Sequence, residues 1–455
     1  MLLEQSFTAG LGHASYLVAD PDAGVAFLVD PERDPEPYLA AAARLGVLIT
    51  HSFETHVHND YLSGSAGLAR LRPITVVTGA AFEVDHAHVG LQDGDEIAVG
   101  GVVVRCLATP GHTPEHVSYL VADLARSSEP QYLFSGGALL VGHIARVDLF
   151  GPQVEERLAR DAYATLRERI LPLEDHLAVF PTHGGGSACS TGTASSRWTT
   201  LGFERRYNAV VAAAERGFET FHREVTHALP AAPAYYPHVR ALNARGAALP
   251  PRGPLPFVTD ASLARLDAVL VDPRPPHVFG AGHRPRALND VGNDAFAVRL
   301  GSTVPFGATV VLLTDDAAHA EKLRDQLAVI GYDEVRGYAS PLPDGETARI
   351  EQIDPRDAAA REDAVLLDVR EAAEWEQGHA PGALHIPYGR LRERMGEIPK
   401  GRPVIAYCAT GIRSSLATTL LQAAGYDAAN VRGGFTAWRN AGLPVERPTE
   451  QPRGT

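Results

Sequence analysis

Cysteine is scarce: Cys106, Cys189 and Cys408 are the 3 in a chain of 455 residues. So few thiols cannot build a disulfide framework, and in a reducing compartment each is read as packing or as chemistry. Long apolar runs are also lacking, and none approaches the roughly 18 residues that cross a bilayer. Basic blocks are absent too, and 41 Lys+Arg against 55 Asp+Glu give a formal net charge of −14. A polyanion would be repelled, which argues against nucleic acid as a partner and for small molecules. No basic segment precedes an apolar one near Met1, so no secretory signal is read and the expected location is cytoplasmic. What remains is a globular chain, 45% hydrophobic, too long for one core. At about 150 residues per domain its length suggests about three domains.

Histidines in turns are what the sequence does have. In Glu54-Thr55-His56-Val57-His58-Asn59-Asp60-Tyr61 two imidazoles and a carboxylate follow a β-type run. Side chains two apart on extended backbone share a face, so these groups can converge on one cation. Thr109-Pro110-Gly111-His112-Thr113 and Phe180-Pro181-Thr182-His183-Gly184 each place a further histidine just past a strand. Around them, β-branched runs at 25–29 and 102–107 alternate with helix-like segments such as 35–45. His13, His86, His88, His116 and His143 have no such pattern and read as ordinary polar histidines. Cys106 lies in an apolar strand and reads as packing, and Trp198, Phe203 and Tyr207 read as core.

Proline and alanine dominate residues 230–256, as in a stiff linker, and beyond it the chain repeats itself. Asp267-Ala268-Val269-Leu270-Val271-Asp272-Pro273-Arg274 matches Asp363-Ala364-Val365-Leu366-Leu367-Asp368-Val369-Arg370. Gly282-His283 matches Gly378-His379, and Gly331-Tyr332-Asp333 matches Gly425-Tyr426-Asp427. Two α/β domains of similar fold are therefore expected. The division read from the sequence is a first domain at 1–229, a linker at 230–256, one repeat at 257–342, a linker at 343–357, the second repeat at 358–447 and a tail at 448–455. The copies differ where chemistry would occur. In the second, the strand 404–407 runs into Cys408-Ala409-Thr410-Gly411-Ile412-Arg413, and a helix is expected to open at Ser414. Backbone N–H groups of the loop, the helix N-terminus and Arg413 all favour a thiolate there. In the first copy the equivalent residue is Thr314.

The set His56-Val57-His58-Asn59-Asp60, Pro110-Gly111-His112-Thr113 and Pro181-Thr182-His183-Gly184 resembles the metallo-β-lactamase superfamily. That resemblance implies an αββα sandwich, with one metal site at His56, His58 and His112 and a second at Asp60, position 61 and His183. Position 61 is tyrosine, and where the family writes a bridging aspartate this chain has Gly137. A two-metal site needs that bridge, so at most one metal is expected. The second copy, through Asp368-Val369-Arg370, Cys408 to Arg413 and Gly433-Gly434-Phe435-Thr436-Ala437-Trp438, resembles a rhodanese-type sulfurtransferase. The resemblance implies a persulfide on Cys408 within the loop Ala409, Thr410, Gly411 and Ile412, with Arg413 assisting, while the first copy is a silent rhodanese-homology domain. The domain order resembles the CstB-like persulfide dioxygenase–sulfurtransferase fusions.

In those enzymes one Fe(II) is held by two histidines, here His56 and His112, and a carboxylate that Gly137 does not supply. Three readings of the first domain stand open. His58 completes a three-histidine site for iron or, less favoured, zinc. Alternatively Asp60, His143, Asp148 or His183 supplies a substitute ligand. In the third, the domain is metal-free and binds a low-molecular-weight thiol persulfide for Cys408. Cys189, in Gly184-Gly185-Gly186-Ser187-Ala188-Cys189, is a thiol-binding candidate beside the metal. The resemblance implies thiol persulfide, sulfite and thiosulfate as partners and sulfite as dioxygenase product, with a zinc thioester-type hydrolase as the alternative for the first domain. A homo-oligomer is compatible with the sequence, and no membrane partner is expected.

Overall fold

Strand His13–Asp20 is buried along nearly its whole length because it is covered on both faces. Tyr16 and Val18 point into one cluster with Phe27, Phe53, Val104, Tyr119 and Phe134. Leu17 and Ala19 point the other way, onto Leu28, Tyr38, Ala42 and Leu68. This is the period-two alternation of a strand sandwiched between a second sheet and helices.

The computed structural model describes residues 1–189, 196–227, 229–343 and 345–448, so all but the first residue of the expected tail lies outside the described residues. The chain forms two units, Met1–Ala232 with Tyr236–Pro250, and Pro233–Tyr235 with Pro251–Thr455. No helix among the described residues is long and apolar enough to cross a membrane.

The first unit is the αββα sandwich. One six-stranded sheet runs in chain order through Leu2–Thr8, His13–Asp20, Val25–Val29, Leu48–Phe53, Thr75–Gly79 and Val89–Leu91. The other is ordered Thr199–Thr200, Ala178–Pro181, Tyr132–Gly136, Val117–Asp123, Val102–Ala108 and Glu96–Val99. Helices Glu36–Leu45 and Ser65–Leu71 cover the first sheet through Tyr38, Ala42 and Leu68. Helix Pro152–Ala164 covers the second through Leu158, Ala159 and Ala162. The ends of Leu48–Phe53, Val102–Ala108 and Ala178–Pro181 deliver the three histidine loops to one edge of the sandwich.

Residues 230–256 differ from a plain linker. Helix Tyr236–Arg245 lies inside that stretch and belongs to the first unit. Its Arg240 donates to the Val57 carbonyl at 2.7 Å, and its Asn243 donates to the carbonyls of His58 at 2.9 Å and Tyr61 at 2.8 Å. Composition pointed to a spacer because proline and alanine flank this helix. The polar side chains that make it a buttress of the histidine loop number only a few.

The second unit holds two parallel sheets with one strand order. In the first copy it is Leu288–Asn289, Val269–Asp272, Val310–Leu313, Val335–Ala339. In the second it is Leu384–His385, Val365–Asp368, Val404–Tyr407, Ala428–Val431, with Gln352–Ile353 added at the far edge. The repeated motifs superimpose in role as well. Arg274 pairs with Asp272 at 2.6 Å and donates to the Gly282 carbonyl, as Arg370 pairs with Asp368 at 2.5 Å and donates to that of Gly378.

Candidate functional sites

Local backbone places the first site. Leu48–Phe53 ends in a non-regular loop whose turn is tied to Asp30, itself at a left-handed φ of 49°. Asp30 accepts from the Thr55 N–H at 2.8 Å and hydroxyl at 2.7 Å, and from the hydroxyl of Thr182. One buried carboxylate thus binds the loops that carry His56 and His183.

His56, His112 and His183, all buried, bring ligand atoms within 4.8 Å of one another. Their partners assign the tautomers. The His112 Nδ1–H donates to the Arg146 carbonyl at 2.7 Å, and its Nε2 has no hydrogen-bond partner among the described residues. Thr55 spends its proton on Asp30, so at 2.9 Å its oxygen accepts from His56 Nδ1–H. The Nδ1 of His183 lies 3.3 Å from Asp60 Oδ2. Each ring therefore turns a bare Nε2 to the common point, the arrangement of ligating histidines fixed by outer partners. Burial, with the neighbouring imidazoles, holds His56 and His112 well below the ordinary imidazole range, so both are neutral donors. Two Nε2 atoms at 3.4 Å match the separation of about 3.4 Å expected for tetrahedral ligands with metal–nitrogen bonds of about 2.1 Å. The donor set fits one metal ion.

His58 is not part of it. Its Nε2 lies 3.0 Å from Glu54 Oε2 and 3.2 Å from Asp30 Oδ1, in a separate buried cluster. Burial opposes charge there, but Asp30 and Glu54 outweigh it and hold His58 up to about 10. The expectation that His58 ligates the metal is corrected by this: with two carboxylates on its far side, the ring serves as a buried cation. Of the substitute ligands, the structure brings in His183 with Asp60 beside it. Asp148 is occupied by Arg146 at 2.6 Å, and His143 bonds the Ile144 carbonyl at 2.6 Å.

Gly137 sits against the cluster. A Cβ there would lie 2.7 Å from His112 Cδ2, and its N–H donates to His116 Nε2 at 2.8 Å. His116 is thus a neutral acceptor, pushed by burial down to about 3. It stacks on His56 at 5.2 Å, a role that sequence pattern did not reveal. Tyr61, where the superfamily has a ligand, packs its ring on His13 at 3.7 Å and donates to the Asp30 carbonyl. Among the described residues no hydrogen bond reaches either nitrogen of buried His13, and beyond its 3.3 Å contact with His183 none reaches Asp60; Asp60, His183 and Cys189 bring ligand atoms within 4.8 Å of one another. Cys189 is therefore next to the metal candidate, its thiol pushed up by burial and 3.6 Å from the Tyr236 hydroxyl. Cys106 is packing as expected, buried and pushed up to about 12. Trp198, Phe203 and Tyr207 are exposed, contrary to their reading as core, because Leu201, Val210 and Val211 take the buried side of this segment.

The second site follows strand Val404–Tyr407 at the carboxyl edge of its parallel sheet, where loops are free to bind ligands. Cys408 is buried, and its Sγ accepts from the Gly411 N–H at 3.2 Å. The Ser414 hydroxyl lies 3.5 Å from that sulfur and donates to Asn430 Oδ1 at 2.6 Å. Gly411 takes a left-handed φ of 94° so that the loop can fold its N–H groups back on the thiol. Gly434 is equally constrained, since a Cβ would meet the Cys408 carbonyl oxygen at 2.3 Å. The helix begins at Ile412 rather than Ser414, which puts Arg413 inside its first turn. Arg413 makes a bidentate pair with Glu374, 2.7 Å on each arm, so part of the positive charge expected for the thiol is already matched. A cavity of about 810 Å³ opens beside Ala409, lined by Arg370, Glu374, Phe435, Thr436 and Arg439. The first copy has Thr314 at the end of the corresponding strand, with no sulfur nucleophile.

Comparison with known proteins agrees with both halves. The rhodanese-like domain family matches residues 354–441. A sulfurtransferase of Allochromatium vinosum is 41% identical over 104 residues, 22% of this chain and 97% of the relative. Persulfide dioxygenase ETHE1, mitochondrial, of Homo sapiens is 29% identical over 184 residues, 40% of this chain and 68% of the relative. The crystal structure of a metallo-β-lactamase from Staphylococcus aureus is similar with a TM-score of 0.68 and 28% identity, covering 75% of this chain and 99% of that one. The chain belongs to the rhodanese-like sulfurtransferases through its C-terminal domain, and it is a fusion of that domain with a metallo-β-lactamase-fold region homologous to persulfide dioxygenases.

Proposed function

We propose that the chain carries out two linked steps of sulfane-sulfur metabolism, transfer at Cys408 and oxidation at the histidine cluster. The observation that carries the first is the Gly411 N–H aimed at Cys408 Sγ at 3.2 Å, at the N-terminus of a helix. A thiolate in that place is stabilised by backbone dipoles and is a competent nucleophile. Cys408 thiolate attacks the outer sulfur of a low-molecular-weight thiol persulfide. The new S–S bond forms on Cys408 as the old one breaks, and the donor leaves as a thiolate. Sulfite then attacks the outer sulfur of the Cys408 persulfide, yielding thiosulfate, the Cys408 thiolate and a proton. Loop N–H groups hold the anionic sulfur in both directions, and Arg370 and Arg439 line the cavity through which the anions enter.

In the first unit His56, His112 and His183 would hold one iron ion, with Asp60 orienting His183 and the Arg146 carbonyl orienting His112. The bound metal would supply dioxygen chemistry, overall turning RSSH, O2 and H2O into RSH, sulfite and two protons. This chain's residues keep the imidazoles of His56 and His112 neutral, turn the Nε2 atoms of all three rings inward and place Cys189 alongside. Sulfite made there is the acceptor that Cys408 uses. Oxygen uptake on adding glutathione persulfide, together with thiosulfate formation that needs Cys408, tests the scheme. Either one without the other would uncouple the two steps.

A second reading of the first unit rests on the three-imidazole donor set, which suits zinc and metal-activated water for thioester cleavage. Thiol release from a thioester without oxygen uptake would establish it in place of the dioxygenase.

A further inference from the structure

The copy without a thiol is in buried polar contact with the one that has it. We infer that Asn289 of the silent copy is a positioning residue for Cys408. Its Oδ1 accepts from the Ser415 hydroxyl at 2.6 Å, and its N–H lies 3.4 Å from the Thr419 hydroxyl, so it grips two turns of helix Ile412–Ala423. Ser415 is the residue that closes the first turn. Its own N–H donates to the Gly411 carbonyl at 3.2 Å, and the Gly411 N–H donates to Cys408 Sγ. The path from silent copy to thiol is thus four residues, Asn289, Ser415, Gly411 and Cys408, joined by hydrogen bonds.

Ordinary packing would not need this. Asn289, Ser415 and Thr419 are all buried, where polar groups cost free energy unless matched and an apolar contact would be cheaper. Comparison of the two copies separates the roles. Asn289 stands where the active copy has His385, and each donates to the carbonyl of its own arginine turn, Asn289 Nδ2 to Arg274 at 2.8 Å and His385 Nε2 to Arg370 at 2.9 Å. Asparagine satisfies the turn and still has an oxygen to offer outward, which is the atom that Ser415 uses. Asn289 Nδ2 also donates to the Asp272 carbonyl at 3.1 Å, so the amide is locked with that oxygen toward the helix. Loss of the grip frees the first turn and weakens the N–H contact to the sulfur.

The meaning of this inference rests on Cys408 as the sulfur-transfer nucleophile, but its test does not. In the full chain, iodoacetamide alkylation of Cys408 is followed by mass across the range from about pH 5 to about pH 9, for wild type, Asn289→Ala, Ser415→Ala and the double variant. Each single variant is expected to slow alkylation near neutral pH by about three- to tenfold, the range one hydrogen bond commands, and to move the profile to higher pH. The double variant is expected to be no slower than the worse single one, because both remove the same link. Unchanged profiles in the single variants, or effects that add, would overturn the inference. Should Asn289→Ala fail to fold, Ser415→Ala alone decides by the same profile. Absent sulfur transfer in wild type would count against the nucleophile and leave the alkylation result standing.

Discussion

The Nε2 atoms of His56 and His183 lie 3.4 Å apart, each with its Nδ1 turned to an oxygen partner. Two facing lone pairs at this distance are repulsive without a cation between them, and the third imidazole, His112, brings to the same place an Nε2 with no hydrogen-bond partner among the described residues. The purified protein is expected to contain about one metal ion per chain, and His183→Ala to lose most of it. Elemental analysis checks this, and undiminished metal in His183→Ala would remove that residue from the ligand set.

His58 separates a structural from a ligating role. Its imidazolium compensates the buried carboxylates of Asp30 and Glu54. His58→Gln is expected to keep its metal and to lose about 3–5 kcal/mol of stability, the cost of leaving buried charge unmatched. Urea unfolding of the first unit's signal and metal content are measured on one sample. Metal lost with stability unchanged would return His58 to the ligands.

Restoring the family's carboxylate at position 137 is expected to harm the site. A Cβ at Gly137 would meet His112 Cδ2 at 2.7 Å and the Ala145 Cβ at 2.9 Å. Gly137→Asp should displace His112 and lower metal affinity by tenfold or more, on the order of 1.4 kcal/mol or above. Tighter metal binding, by competition with a chelator, would mean that the loop can make room for the carboxylate.

Cys408→Ser is expected to abolish sulfur transfer from thiosulfate to cyanide, whereas Cys106→Ser, inside strand Val102–Ala108 of the first unit, should leave it unchanged. Retained transfer in Cys408→Ser would end the assignment of the nucleophile.

Glu374 takes both arms of Arg413 at 2.7 Å. Glu374→Gln removes a negative charge from the wall of the cavity beside Ala409 and releases Arg413 toward incoming anions. The expected outcome is a lower KM for thiosulfate, by about two- to tenfold, with a smaller gain at high ionic strength. A KM that rises would mean that the pair is needed to shape the cavity.

The sequence was sufficient for the fold of each part, and it singled out Cys408 as the thiol at a strand end. Strand periodicity, the internal repeat and the loop from Cys408 to Arg413 are local or short-range patterns, and chemistry such as a strand end meeting a helix N-terminus is set by neighbours in the chain. It was sufficient, too, for the loss of the carboxylate at Gly137 and of the ligand at Tyr61. Which histidines converge on one point was not legible. His56 and His58 are both compatible with a ligand from spacing alone, and Asp30 and Glu54, 28 and 4 residues away from His58, decide between them by drawing its ring aside. His183 joins His56 across 127 residues through the meeting of two sheets. The helix Tyr236–Arg245 was hidden by its proline-rich flanks, and the grip of Asn289 on Ser415 by the 126 residues that separate them. Residue type and local pattern set what chemistry each group can perform. Only the packed sheets decide which lone pairs face one another, because burial and partner orientation are properties of side chains distant in sequence.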